Sequence, residues 1–319
     1  MTGLVSLPAA DSASGDRARG DRAQLIDQLV AARIAGRVAT TRENNLANFR
    51  LMAQRESGYL FGLRPRAAWT FDDVLALMAR RCGVSPDPRH DSGADTIDPA
   101  LTVERLEAMA AVLRTAVANR ARVLVATGHP TGVFAVHREI ARALQAAGCT
   151  MLAPEARWRH VDSSGHSQQR QVRSVLGVSV ASQGTKLLHT HSPEPMNLML
   201  ASLAEAGERP PDLVVADHGF AGAAGTAGIV SVGFADCNDP ALFVGEAEGD
   251  VAVCVPLDDN VEPTLYEPLT AFLLSEASAR AIRTAASRGS PSPPDPTSLP
   301  FGTHVRDRLP EGKPAPVAC

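Results

Sequence analysis

Short apolar runs alternating with helix-length segments dominate the second half of the chain. The runs at 123–126, 149–153, 175–180, 213–216, 229–234 and 251–255 each have the length of a buried strand, and most are rich in β-branched residues. Between 122 and 153 the order is strand, glycine-containing loop, helix over 133–147, Gly148 as terminator and a second strand. That is a βαβ unit, with the right-handed crossover such units take. The alternation continues through 255 and ends in a helix over 264–285. It predicts an α/β fold with an open, mostly parallel sheet in three layers, Rossmann-like in its general plan.

Before residue 120 the period is helical instead. Leu25, Ile26, Leu29, Val30 and Ile34 recur at three and four, and further helices are expected through 46–52, 70–82 and 102–119. Thr40 or Thr41 reads as one N-cap and Thr70 as another, with Gly83 beyond the latter helix. The expected organisation is a disordered leader over 1–20, a helical cap over 21–120, an α/β core over 121–285 and a disordered tail over 286–319. Eight prolines mark that tail. Two segments carry little apolar periodicity. Residues 84–99 read as an extended acidic loop whose Asp spacing is not that of an EF-hand, so calcium is not expected there. Residues 154–172, with Arg157, Arg159, His160, His166 and Arg170, read as a mobile basic excursion; the sharper alternative is a lid over an anionic ligand.

Charge and composition exclude several classes. A net charge of −4 over 319 residues leaves no basic footprint for nucleic acid. No apolar run reaches the roughly 18 residues of a membrane helix, and the first twenty residues lack a signal-type apolar region. A cytoplasmic location is expected. Cys82, Cys149, Cys237, Cys254 and Cys319 show no C-x-x-C spacing, which argues against a disulfide framework or zinc cage. Cys237 lies among carboxylates, which raise a thiol pKa rather than activate it.

The chemistry concentrates where strands end. The run at 213–216 leads into Asp217-His218-Gly219, the run at 229–234 into Asp236-Cys237-Asn238-Asp239, and the run at 251–255 into Asp258-Asp259-Asn260. In a parallel sheet the carboxyl ends share one edge, where ligands bind, so three acidic clusters converge on one crevice. Helix capping explains single residues, such as Asn238 or Asp239 before Pro240, but not three clusters after three strands. Closely placed carboxylates repel unless a cation neutralises them or some are protonated. Asp236, Asp258 and Asp259 are therefore candidate ligands for a divalent metal, Mg²⁺ or Mn²⁺, with iron or zinc open because histidines are near. Asp217, His218, Asp236 and Asp239 are candidate catalytic groups.

Substrate contacts are expected from several places. The loop holding Thr127, Gly128, His129 and Thr131 opens a helix and suits an anion. His189 and His191 alternate onto one face if that segment is extended. Asn238, Asn260 and a helical lip carrying Arg42 and Asn44 complete the candidate set. With a metal holding phosphate oxygens, hydrolysis of a phosphate ester by activated water needs the fewest further parts. The expected partner is a small phosphorylated metabolite. Two alternatives stay open: a sugar-phosphate isomerase using the same cradle, and a metabolite-binding module without turnover.

These motifs also carry a resemblance. Arg42-Glu43-Asn44-Asn45, Ala126-Thr127-Gly128-His129-Pro130, His189-Thr190-His191-Ser192, Val215-Ala216-Asp217-His218-Gly219, Ala235-Asp236-Cys237-Asn238-Asp239-Pro240 and Pro256-Leu257-Asp258-Asp259-Asn260 resemble an actinobacterial family labelled "phosphatase". The resemblance spans about 22–275 and implies phosphatase activity. The signatures of better-known phosphatases are missing: Asp236-Cys237-Asn238 lacks the second carboxylate of a haloacid-dehalogenase pair, and there is no R-H-G and no G-N-H.

Overall fold

The computed structural model describes the backbone of residues 10–161 and 164–287 and the side chains of 18–161 and 164–278. Residues 1–9 of the proposed leader and 288–319 of the proposed tail lie outside the described residues. Helix α1 (Ala10–Ala31) nonetheless starts ahead of residue 21. After it come strand β1 (Gly36–Thr41), α2 (Arg42–Ala53), α3 (Phe71–Arg81), strand β2 (Ala94–Ile97) and α4 (Pro99–Ala118). Thr41 caps α2, accepting from Asn44 N, and Thr70 caps α3 in a full capping box with Asp73. The acidic loop is more ordered than its composition implied: β2 pairs antiparallel with β1, and Asp98 caps α4. A four-residue strand facing a single partner leaves too short an alternation to read from sequence.

The core follows as β3 (Arg122–Thr127), α5 (Phe134–Ala146), β4 (Thr150–Leu152), β5 (Ala156–Val161), β6 (Ser167–Val175), β7 (Val178–Gln183) and β8 (Lys186–Leu187). It continues through α6 (Glu194–Glu205), β9 (Leu213–Asp217), α7 (His218–Thr226), β10 (Val230–Ala235), α8 (Pro240–Glu248), β11 (Val253–Pro256) and α9 (Glu267–Ser287). The sheet order is β11-β10-β9-β3-β7-β6-β5, with β4 beside the start of β3 and β8 beside β7. Strands β11, β10, β9, β3, β4 and β7 run parallel, as expected. Helices α4, α5 and α9 lie on one face and α6, α7 and α8 on the other. The buried apolar residues, from Leu25 to Leu273, form one cluster that includes the N-terminal helices.

The segment 154–172 is a correction. It is no excursion but the antiparallel wing β5–β6, paired onto β7. Its inward face holds Trp158 and Val172, with polar residues elsewhere along both strands, so the hydrophobic signal was thin. The topology also fixes where the crevice falls. From β3 the chain turns to β4 and β7 on one side and later to β9 on the other, so the switch point lies between β3 and β9.

Arg42 is a second correction. It is wholly buried and pairs with Asp95 at 2.9 Å, while donating to the carbonyls of Ser85, Asp87 and His90. Asn45 gives Asp95 a further hydrogen bond at 2.7 Å. The arginine thus ties the 85–95 loop to the start of α2 and does not reach the crevice. Removing one partner of a buried pair strands the other charge, at about 3–5 kcal/mol. Asp95→Ala is expected to lower unfolding free energy by about that amount in guanidinium titration. A loss below about 1 kcal/mol would mean the loop is held by other contacts.

Candidate active site

Strand register brings the three clusters level. Asp217 pairs with Phe234 across β9 and β10, and Ala235 pairs with Pro256 across β10 and β11. Asp236 and Asp258 follow just beyond those ends, and Thr127 closes β3 beside them. Asp217, Asp236, Asp239, Asp258 and Asp259 are all buried, and none forms an ion pair with a lysine or arginine among the described residues. Capping does not explain them: Asp217 and Asp239 stand at the N-cap positions of α7 and α8 but make no capping hydrogen bond.

Asp217 is the best-held group. It accepts from the Thr127 hydroxyl, from Gly128 N at 2.6 Å and lies 3.0 Å from His218 Nδ1. His137, a core residue of α5, approaches it from behind, with Nε2 at 3.7 Å. Burial alone would raise the Asp217 carboxyl, but His218, His137 and Thr127 hold it well below the ordinary range. His218 sits at φ +42°, a left-handed conformation that costs a non-glycine residue about 1–3 kcal/mol. The turn points its Nε2 at Asp239 Oδ2, 3.2 Å away, and at Asp259 Oδ2, 3.4 Å away. Burial opposes its charged form, yet Asp217 and Asp239 push its pKa well above the usual histidine value.

Asp259 also faces His129, whose Nδ1 lies 3.4 Å from Oδ1, near enough for an ion pair but outside hydrogen-bond alignment. Asp259 Oδ2 and His129 Nδ1 are buried without a hydrogen-bond partner. Burial would raise the Asp259 carboxyl, but His129 and His218 hold it below its ordinary value. Asp236 behaves oppositely: burial and the neighbouring Asp259 and Asp258 carboxylates push it well above the usual range. Thr40 donates to its Oδ2, and Cys237 N to its Oδ1 at 2.6 Å. Asp258 accepts from Asn260 N at 3.0 Å and from Ala39 N at 3.4 Å, and its carbonyl accepts from Tyr266 at 2.7 Å.

At the mouth, His189 and His191 are exposed, with Nε2 atoms 3.2 Å apart, so the two rings do share a face. The His189 ring stacks on His129, the His191 ring on His218, and Phe61 packs edge-on to His191 and His218. Partial burial, then His129, His218 and His191, push His189 down to about 4. Three donor sets have ligand atoms within 4.8 Å of one another: His189, His191 and His218; His218, Asp239 and Asp259; and Asp236, Asp258 and Asp259.

A family model described as Phosphatase matches residues 20–281. The chain belongs to that phosphatase family. "Phosphatase SCO2771" of Streptomyces coelicolor is 50% identical over 258 residues, covering 80% of this chain and 96% of that protein. No solved structure matches. Among the described residues, no helix is long and apolar enough to cross a membrane.

The crevice departs from the expected set in its loop. The N–H groups of Gly128 and His129 point inward, to Asp217 and the Thr127 hydroxyl, because a buried carboxylate must be satisfied before a ligand is. Thr127 and Gly128 therefore position Asp217. Thr131 and Asn260 lie exposed at the edge, and Asn44 meets Asn238 at the rim at 2.7 Å. Thr40, His137 and Phe61 are additions. Their local sequence carries no signal, since each reaches the crevice through tertiary packing.

Backbone closeness sets the loop spacing. A Cβ on Gly128 would stand 2.3 Å from Thr190 O, and one on Gly132 only 1.8 Å from Asp259 O. Gly132→Ala must therefore displace the Asp258–Asn260 turn, and a shift near 1 Å costs catalysis about a hundredfold. Phosphatase turnover is expected to fall by about that factor with circular dichroism unchanged. Gly20→Ala, whose added atom meets nothing within 4 Å, serves as control. Equal turnover in both variants would show that the turn does not set the site's geometry.

Proposed function

We propose that the chain hydrolyses a small phosphomonoester in this crevice with help from a divalent cation. The observation that carries the reading is the set Asp236, Asp258 and Asp259, buried together, with an Asp259 oxygen that lacks a hydrogen bond and with no lysine or arginine paired to them among the described residues. Oxygen donors on carboxylates suit a hard cation such as Mg²⁺ or Mn²⁺. Those three residues would hold it. When bound, the cation supplies charge neutralisation for phosphoryl oxygens and lowers the pKa of water.

The chain's own residues do the rest. His189 and His191, exposed at the mouth, meet the incoming phosphate. His218, kept positive by Asp217 and Asp239, faces the phosphoryl oxygens as charge gathers on them. Asp239 stands free of capping duty beside His218 and accepts the proton of the attacking water. Water oxygen bonds to phosphorus, the ester P–O bond breaks, and that proton passes to the departing alkoxide. The products are an alcohol and inorganic phosphate. Asp217, with Thr127 and His137 behind it, positions His218.

Full-length protein is expected to turn over p-nitrophenyl phosphate, to lose that activity in EDTA and to regain it with Mn²⁺ or Mg²⁺. Asp239→Asn is expected to lower kcat by about 10²–10⁴-fold at unchanged fold, the usual effect of losing a general base. Isomerisation of a sugar phosphate without phosphate release, unaffected by EDTA, would refute hydrolysis.

A further inference from the structure

The cation reading above uses one donor set, yet a second stands against it. The His189, His191 and His218 nitrogens form a group as compact as the carboxylates, and Asp259 connects the two. It belongs to the all-oxygen set with Asp236 and Asp258 and to the mixed set with His218 and Asp239. We propose that the crevice holds two metal ions, one among Asp236, Asp258 and Asp259, the other among His189, His191 and His218, with the Asp259 carboxylate between them.

Spacing supports it. Donors about 2.0–2.1 Å from one ion at tetrahedral or octahedral angles stand roughly 2.9–3.4 Å from one another. His189 Nε2 and His191 Nε2 are 3.2 Å apart, with a His218 nitrogen within 4.8 Å of them, and Asp259 Oδ2 lies 3.4 Å from His218 Nε2 on the side of the carboxylate set. Without a metal, one neutral imidazole donates its N–H to the other nitrogen, and a shared cation would take the place of that hydrogen bond. Their stacking partners, His129 and His218, keep both rings turned to one point.

Independent signs of a missing partner lie in the same place. Asp259 Oδ2 and His129 Nδ1 are polar, buried and without a hydrogen bond. His218 is braced as a metal-bound imidazole is: Asp217 takes its Nδ1 side at 3.0 Å, leaving Nε2 for the crevice. The donor sets differ in kind, so the ions should too. Three carboxylates favour a hard ion, whereas three imidazoles favour zinc, iron or manganese. Bridged ions of this sort clamp a phosphate from two sides during in-line displacement. The second ion occupies the place held by the His218 proton in the one-ion form. The positive charge facing the phosphate stays there, and Asp239 keeps its role as base.

This pair rests on the carboxylate cation site of the preceding section, and the test separates the two. Full-length protein is stripped with chelator and titrated with Mn²⁺, with bound metal counted by elemental analysis and spin coupling followed by paramagnetic resonance. Wild type is expected to bind two ions per chain with an exchange-coupled signal. The double variant His189→Ala, His191→Ala alters exposed side chains and should fold. It is expected to bind one ion and to lose the coupling. A single uncoupled ion in wild type, or two coupled ions in the double variant, would overturn the pair. If wild type binds one ion and still hydrolyses p-nitrophenyl phosphate in a metal-dependent way, the one-ion reading stands and only the pair falls. If it binds two coupled ions without turnover, the pair stands and the hydrolytic reading falls.

Discussion

Like charges that must be buried together constrain this molecule more than anything else. Asp217, Asp236, Asp239, Asp258 and Asp259 lie out of water along one sheet edge. Desolvation and mutual repulsion both oppose that arrangement. The chain answers part of the cost itself: His218 stands between Asp217, Asp239 and Asp259, and His129 faces Asp259. Asp217 is satisfied from several sides. In the Asp236, Asp258 and Asp259 group one Asp259 oxygen has no hydrogen bond, and the pKa directions diverge, with Asp236 driven up and Asp259 held down. A cation bound there, as proposed above, would remove that imbalance.

Much of the remaining architecture serves that edge. The switch between β3 and β9 opens the crevice, and in-register strand ends set the depth of each cluster. The N-terminal region closes the far wall, with Thr40 and Ala39 of β1 reaching Asp236 and Asp258. The buried Arg42–Asp95 pair holds the loop behind that wall. Tyr266 fastens the Asp258 turn from below through its carbonyl. Stability and site geometry are therefore linked through shared loops, and glycine at 128 and 132 lets those loops touch backbone to backbone.

The strand ends were readable because two signals coincide there: a buried apolar run fixes a strand, and the polar cluster after it has one place to go in a parallel sheet. The H-x-H pair does converge, but β8 ends at Leu187, so strand alternation pointed to the pair without being what aligns it. What escaped has physical reasons. Strands β5 and β6 bury little more than Trp158 and Val172 on one face, so their composition resembles a loop. Arg42 looked like an anion ligand because its sequence neighbours are polar; its partner Asp95 lies 53 positions away. Thr40, His137 and Phe61 join the crevice through contacts that no local pattern encodes. The loop after β3 was expected to cradle an anion, but the N–H groups of Gly128 and His129 are committed to Asp217 and Thr127.

A cation drawn to the crowded carboxylates of Asp236, Asp258 and Asp259 is the central proposal. Crystals of the full-length protein grown with Mn²⁺ and measured at the manganese absorption edge address that directly. An anomalous peak within ligand distance of Asp236, Asp258 and Asp259 is the predicted result. A map with no peak there, and those three carboxylates bonded only to their own turns, would contradict it.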